Sequence, residues 1–597
     1  MAIERKGIFG WCIIFLVVFL AVVVRFVRLD KVPSAVYYDE IDMGYQIRSL
    51  LTTGRDYRNG LSPFYFRSFN TDKTPLPIYF SVIPSLLFQS PEYQVRAGAA
   101  LAGVLCVVLA MYLVYQLTGK RLAVIVTGLV FAFSPWQIQF SRMAFEAIFM
   151  LMIFMASISI FLYWYKTKKL WAFYLSALLL GLNVYTYRVM SLFAPLTVMI
   201  LLAIYFKDFW KEGLKRIFIW LFIFSALFLP FMYATTIGSA DQTRIGQISI
   251  FSDPSIPIKV MRDREAASND FNNPEIGKRP VWWSFIFHNK VVSYVTFFGH
   301  NYYKTFSSDF LFLTGDPNGR HSAKDTGIML FVDVIGLIVG LLVVIKKIKD
   351  KNYQLLLALL LLTPIPADLT MDGANHASRL IIMAAPLLLI VGLGYTRLIE
   401  WFHINSKFRV GVVMLVGVWL IAVSFYLQKY FVHFPIENSR QFGYGYKQVI
   451  DGIEKVKDQY LSIKLTDQND PPMLYYLFWA NIPPRDVQVY GTNFEEGLVK
   501  NLPLDGVKPH RWETKVCNME EIAKLDLHTI YMVAYKDLPL DFRSEDKDEI
   551  PTGIKLIDVI KYPDNEVAYY LITRDTKDGM PVMPVKLTDY QARRCSN

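Results

Sequence analysis

Cysteine, histidine and charge are all scarce in this sequence. Four cysteines are scattered through 597 residues, and the eight histidines never fall into an HxxxH pattern, so no zinc-binding spacing is present. No GxxxxGK[ST] loop occurs, which argues against an ATP-driven pump, and no GxSxG elbow marks a serine hydrolase. Charged residues make up 19% of the chain against 54% hydrophobic, and the mean hydropathy is +0.32. Soluble domains rarely combine these values. What the sequence does have is a series of apolar runs of about twenty residues, the length that crosses a bilayer as helix.

Such runs fall at about 8–27, 97–117, 122–140, 143–165, 170–187, 189–206, 217–238, 326–345, 353–367, 378–396 and 409–429, which makes eleven crossings. The first, Ile8 to Phe26, is long for a signal peptide, and Arg25, Arg28 and Asp30 follow in place of a small-residue cleavage site. It reads as a retained signal-anchor helix. The net charge of +11 sits in short clusters between runs, such as Lys166, Lys168 and Lys169 or Lys346, Lys347, Lys349 and Lys351. It therefore reads as topology and not as nucleic-acid binding. By the positive-inside rule these clusters are cytoplasmic. The N-terminus is then inside, and 28–96, 239–325 and the tail after about 430 lie outside. A multi-pass protein of the inner or plasma membrane is expected, with a membrane domain over 1–430 and an extracytoplasmic domain over 431–597.

In the first outer loop, Asp39 to Leu51 has helical apolar spacing and Gly54 is a stop signal. The proline-broken PLPIYFSVIPSLLF at 75–88 reads as an interfacial helix. The second outer loop clusters aromatics over 282–312, either an interfacial belt or a groove for a lipid chain or sugar. In the tail, YKQVIDGIEKVKDQY is an amphipathic helix. LSIKLTD, VQVYG, TIYMVAY and the hairpin IKLIDVIKY-PDN-EVAYYLITR read as strands, enough for one small α/β domain. An accessory role is expected for it. Cys12 and Cys106 lie in apolar runs as packing residues. Cys517 and Cys595 lie in the tail, where a disulfide is one option.

The outer-face residues able to carry chemistry are Asp39, Glu40, Arg55, Asp56, Asp72, Lys73, Arg142, Glu146, His300, His321, His376 and Arg379. Arg142, Arg188 and Arg379 are lone arginines in short outer connections, either snorkelling at the interface or sharing an anionic ligand. Carboxylates for a base and cations for a phosphate are the parts needed to move a group from a phosphate-linked donor. Neighbouring helical residues point about 100° apart, so Asp39 and Glu40 do not share a pocket, whereas Asp39 and Asp42 can share a face. If they do, magnesium or manganese suits the pair; metal-free catalysis is the preferred reading. Asp42 otherwise reads as a solvated first-turn acid, and Glu40 as a structural cap or salt bridge, or else a catalytic acid.

This layout resembles the GT-C superfamily of polytopic glycosyltransferases, in its bacterial family-39-like branch. That branch is related to protein O-mannosyltransferases and to the lipid A aminoarabinose transferase. The motifs are DE at 39–40, TGRD at 53–56, DKTPLPIY at 72–79, SPWQIQFSRMAFEA at 134–147 and PIPADLTMDGANHASR at 364–379, within a similarity spread over about 8–450. The resemblance implies a membrane all-α bundle of about 11 transmembrane helices with a long first outer loop, plus a C-terminal soluble α/β domain. It implies transfer of a sugar from a polyprenyl-phosphate donor to a hydroxyl on a protein, lipid or glycan. Asp39 matches the general base, and Lys73 matches the lysine of a KPP-like motif that touches donor phosphate, with Lys-Thr-Pro here in place of Lys-Pro-Pro. Arg142 and Glu146 match an arginine and a second acid. His376 and Arg379 match a late HxxR element where lipid phosphate would bind. Arg55, Asp56, Asp72, Arg188 and His321 are left as substrate-binding candidates. Single displacement would invert the anomeric centre, while retention would need a second, nucleophilic carboxylate such as Glu146. Two alternatives remain: a flippase or exporter of lipid-linked sugars, which has no use for Asp39 as base, and a non-catalytic scaffold.

Overall fold

The structure, a computed structural model, describes residues 2–61, 64–69, 72–236, 249–269, 282–404, 409–490, 507–510, 525–534 and 554–574. The chain divides into two compact units. One comprises residues 1–27, 99–141 and 145–427; the other comprises 28–98, 142–144 and 428–597.

In chain order the first helices are α1 (Ala2–Phe26), α2 (Tyr38–Thr53), α3 (Pro75–Ser85), α4 (Pro91–Thr118) and α5 (Arg121–Phe133). They are followed by α6 (Pro135–Ser141), α7 (Glu146–Thr167), α8 (Leu170–Leu182), α9 (Met190–Glu212) and α10 (Leu214–Thr236). Among the described residues six helices are long and apolar enough to cross a membrane, or seven if the bent pair α5 and α6 is one span. Shorter apolar helices lie at Gly10–Phe26 and Leu170–Tyr185, and further ones at Asp333–Lys346 and Lys351–Leu362. Every expected span therefore carries a helix, although not every helix has spanning length.

The larger unit is helical and closes through small residues and buried polar contacts. Pro135 has no N–H and interrupts the ladder at Ser134, so α5 and α6 meet at a bend of 58°. The carbonyls that the break leaves without helical partners are used by Arg25, fully buried on α1. Its guanidinium donates to Ala132 O at 3.2 Å and Phe131 O at 3.3 Å. Helix Asp333–Lys346 meets the helix Ala384–Ile404 backbone to backbone. A Cβ on Gly340 would lie 1.9 Å from Ile390 O, and one on Gly394 would lie 1.9 Å from Gly336 O, the small-residue packing common between apolar helices.

In the second unit α2 ends as expected at Gly54, whose φ of 70° is the left-handed cap glycine tolerates. Helix α3 begins at Pro75 after Thr74 and exposes Tyr79 and Ile83, with Leu86 and Leu87 exposed just beyond it. The tail forms a five-stranded sheet of order β2-β1-β3-β5-β4, from β1 (Ser462–Thr466), β2 (Val507–His510), β3 (Thr529–Ala534), β4 (Ile554–Lys561) and β5 (Val567–Arg574). Strand β1 runs parallel to β2 and β3, and β5 pairs antiparallel with β3 and β4. Proline at 509 is tolerated because β2 lies at the edge. The amphipathic helix is present as Tyr446–Val456 and buries Val449, Ile450 and Ile453. One expected strand is not a strand: VQVYG begins within the helix Pro484–Tyr490, which buries Val487 and exposes Val489. Alternation over so few residues fits one helical turn equally well, and Pro484 is suited to a helix start. Cys517 and Cys595 lie outside the described residues.

The tail also packs on the first loop within this unit. Tyr45 Oη donates to Ile482 O at 3.1 Å and Arg48 Nη1 to Phe478 O at 3.1 Å. Gln488 Nε2 donates to Ser49 Oγ, Thr53 Oγ1 and Asp56 O.

Candidate active site

The acids at the start of α2 separate into three fates. Asp39 keeps 40% of its side chain exposed and pairs with Lys73, Nζ to Oδ1 2.5 Å. Lys73 is in turn set by a short ladder in which Phe66 and Lys73 exchange both backbone hydrogen bonds at 2.9 Å. Asp42 is three residues on and lies on the same side, with Oδ2 3.8 Å from the Lys73 ammonium. It is not the solvated acid expected from its place in the first turn. It is fully buried, and takes hydrogen bonds from Tyr57 Oη at 2.8 Å and from Ser68 Oγ. Burial pushes its carboxyl up to about 6, against the opposing pull of Lys73, Ser68 and Tyr57. The Lys73 ammonium thus takes the place between Asp39 and Asp42 that a divalent cation would need.

Glu40 faces elsewhere, as the helical angle requires. It is fully buried and forked by Arg96, Nε to Oε1 and Nη2 to Oε2 both 2.9 Å. The backbone N–H groups of Ala144 and Tyr37 donate to the same two oxygens at 2.8 and 3.3 Å. Both oxygens are thus doubly occupied. Arg96 uses its other N–H groups on Leu29 O and Pro33 O, each 3.0 Å, and on Ala35 O. Arg142 holds the same segment, donating to Val32 O at 2.8 Å and Arg28 O at 3.3 Å, and lies 4.8 Å from the Phe431 ring centre. Burial lowers its pKa.

The tail reaches this cluster too. Tyr38 packs on Tyr475 with ring centres 6.1 Å apart, and Tyr475 stacks on Tyr446 at 4.0 Å. The Tyr38 hydroxyl pKa is raised by burial and then by Asp42, Asp39 and Asp470, and Tyr475 Oη donates to Asp470 Oδ2 at 3.4 Å. No spacing in the sequence pointed to Asp470 or Tyr475.

The larger unit holds a second cluster. His321 Nδ1 lies 2.7 Å from Asp316 Oδ2, and the His321 and His376 rings are 5.1 Å apart. Asp316 is fixed by N–H donors from Ala377 at 2.7 Å and Asn318 at 2.8 Å. Against the upward push of burial, His321 and these donors hold its carboxyl below the usual range. Burial, then the charges of Arg379 and His321, lowers His376 to about 4, so this imidazole is neutral at ordinary pH. Arg379 pairs with Asp372 and donates to Thr370 Oγ1 at 2.7 Å.

The other expected residues are more dispersed. Asp56 is buried and closes its own loop, accepting from Gly60 N at 2.5 Å and Arg67 N at 3.3 Å, while Arg55 is exposed. Asp72 accepts from Ser68 N at 3.3 Å. Glu146 opens α7 and is half-buried, as is Arg188. His300 is exposed. Arg96, Tyr57 and Ser68 were missed because each acts on an acid 15 to 56 residues away in sequence, and Asp316 because its five-residue spacing to His321 matches no ligand motif.

The fold is that of the GT-C glycosyltransferases. The chain is similar to ArnT from Cupriavidus metallidurans bound to undecaprenyl phosphate, with TM-score 0.52 and 13% identity over 96% of this chain and 99% of that one. The apo state of ArnT gives TM-score 0.51 and 12% identity over 95% and 98%. Archaeal oligosaccharyltransferase AglB from Archaeoglobus fulgidus, in complex with an inhibitory peptide and a dolichol-phosphate, gives 0.47 and 12% over 80% of this chain. The chain spans 64% of the length of that AglB. More particularly, residues 15–241 match the family model of dolichyl-phosphate-mannose-protein mannosyltransferase. No curated protein sequence matches the chain. The resemblance drawn from the motifs is met, as is the helical membrane bundle with a small C-terminal sheet. The chain is a multi-pass membrane protein.

Proposed function

We propose that this protein transfers a sugar from a polyprenyl-phosphate-linked donor to a hydroxyl acceptor at the outer face of the membrane, with Asp39 as general base. The observation that carries this reading is the Asp39–Lys73 pair, 2.5 Å across and backed by Asp42. Of Asp39, Glu40, Asp42 and Asp56, Asp39 alone has a solvent-exposed side chain, at 40%; the other three are buried. The acceptor hydroxyl gives its proton to Asp39 as it attacks the anomeric carbon. Lys73, beside it, stabilises charge on the departing lipid phosphate, and single displacement inverts the centre. His376 and Arg379 are carried as donor-phosphate candidates, and Arg188, His321, Arg55 and Asp72 as substrate-binding candidates. Glu40, Arg142 and Asp56 are positioning residues. The match to a dolichyl-phosphate-mannose family and the undecaprenyl phosphate bound by ArnT support the class of donor. The N-terminus is assigned to the cytoplasm, and 431–597 to the extracytoplasmic side.

The test is transfer from labelled polyprenyl-phosphate sugars by the full chain in liposomes. Asp39→Asn is expected to lower the rate by about 10²–10⁴-fold while leaving donor binding in place. Undiminished transfer by that variant removes Asp39 as base. Wild-type protein that moves labelled lipid across the bilayer but never transfers its sugar is a flippase.

A further inference from the structure

The Asp316, His321 and His376 cluster has the composition of a metal centre. Each residue offers one ligand atom, and the three atoms lie within 4.8 Å of one another; no other such trio occurs among the described residues. Two imidazoles with one carboxylate suit zinc and its first-row neighbours. Magnesium and calcium prefer all-oxygen shells.

The surroundings are built as a ligand shell requires. Asp316 is held by the backbone N–H groups of Ala377 at 2.7 Å and Asn318 at 2.8 Å, and the His321 ring lies 5.7 Å from Phe140 and 6.0 Å from Phe145. His376 Nδ1 is 3.0 Å from Ser378 Oγ. Partners of this kind fix the tautomer and ring orientation of metal-binding histidines. The loop carrying Asp316 and His321 is tied down: Ser322 Oγ donates to Asp316 O at 2.8 Å. Gly315 has φ 71° and so little room that a Cβ would lie 2.4 Å from Thr326 O. Side-chain exposures of 4% for Asp316, 9% for His321 and 19% for His376 leave an opening on the His376 side.

We propose that Asp316, His321 and His376 bind one divalent transition-metal ion of the zinc type, leaving a fourth position for an oxygen ligand. Tetrahedral ligands about 2.1 Å from zinc lie roughly 3.4 Å apart, so a pair at the 4.8 Å limit closes by about 1.4 Å on binding. The site holds whether or not Asp39 is a base, because its test reads binding and not transfer.

The experiment uses the full-length protein in detergent, purified without a histidine tag and stripped with chelator. Zinc titration by calorimetry is expected to show one equivalent bound, and cobalt to give the intense visible bands of a four-coordinate ion. His321→Gln and His376→Gln are each expected to weaken binding at least about 10-fold, with the exposed His403→Gln as the unaffected control and size exclusion confirming the fold of each. Wild-type protein that binds no stoichiometric zinc overturns the proposal, as do both histidine variants binding like wild type. If either variant misfolds, the wild-type cobalt spectrum decides alone, and octahedral weak bands count against the site.

Discussion

Asp42 shows how little of a residue's role lies in its local context. The DE pair and its helical angle were legible, and Asp39 and Glu40 do go to different partners. The sequence spacing also put Asp42 beside Asp39. Its burial was not legible, because Tyr57 and Ser68 come from the far side of a loop. The consequence is a pH dependence of stability. A carboxyl raised to about 6 from 3.8 binds its proton more tightly in the folded chain. Its contribution is therefore full below pH 3.8 and is lost as pH rises through 6. The difference between the extremes is roughly 3 kcal/mol. Thermal unfolding in detergent at pH 4.5 and 6.5 checks this: wild type is expected to gain on Asp42→Asn at the lower pH. A constant gap between the two proteins would show that Asp42 carries no such linkage.

Elements were the most readable level. All the apolar runs became helices, Gly54 ended α2, and the tail hairpin paired as drawn. The failures were short or broken pieces: VQVYG, whose alternation does not distinguish a strand from a turn of helix, and the α5–α6 bend, where one span was drawn across Pro135. Helix contact between Asp333–Lys346 and Ala384–Ile404 depends on missing side chains. Gly340→Val would drive a Cβ into Ile390 O, 1.9 Å away. The expected cost is about 1–3 kcal/mol or more, read as a lowered unfolding temperature. Gly417→Ala, where a Cβ would meet nothing within 4 Å, is expected to change little.

At the scale of the whole molecule, no motif or spacing indicates that the tail shares a compact unit with the first loop. The linear reading placed a boundary at 430 and an accessory role beyond it. One compact unit gathers 28–98, 142–144 and 428–597, and contacts such as Tyr38 to Tyr475 and Gln488 to Thr53 join positions over 400 apart in sequence. Ending the chain after residue 445 is therefore expected to do more than remove a recruiting module. Limited proteolysis should find new cleavage around 55–60, and transfer should fall to background even with acceptor in excess. Normal transfer by the truncated chain would restore the accessory role.

The Arg96 bracket has a consequence for tolerance to change. Five oxygens, those of Glu40 and the carbonyls of Leu29, Pro33 and Ala35, accept from one guanidinium. An ammonium offers three hydrogens from a single point. Arg96→Lys keeps the charge yet strands at least two acceptors, so it should lower the unfolding temperature nearly as far as Arg96→Met. At this position the shape of the cation counts as well as its charge, and a charge-preserving exchange is expected to be little gentler than a charge-removing one.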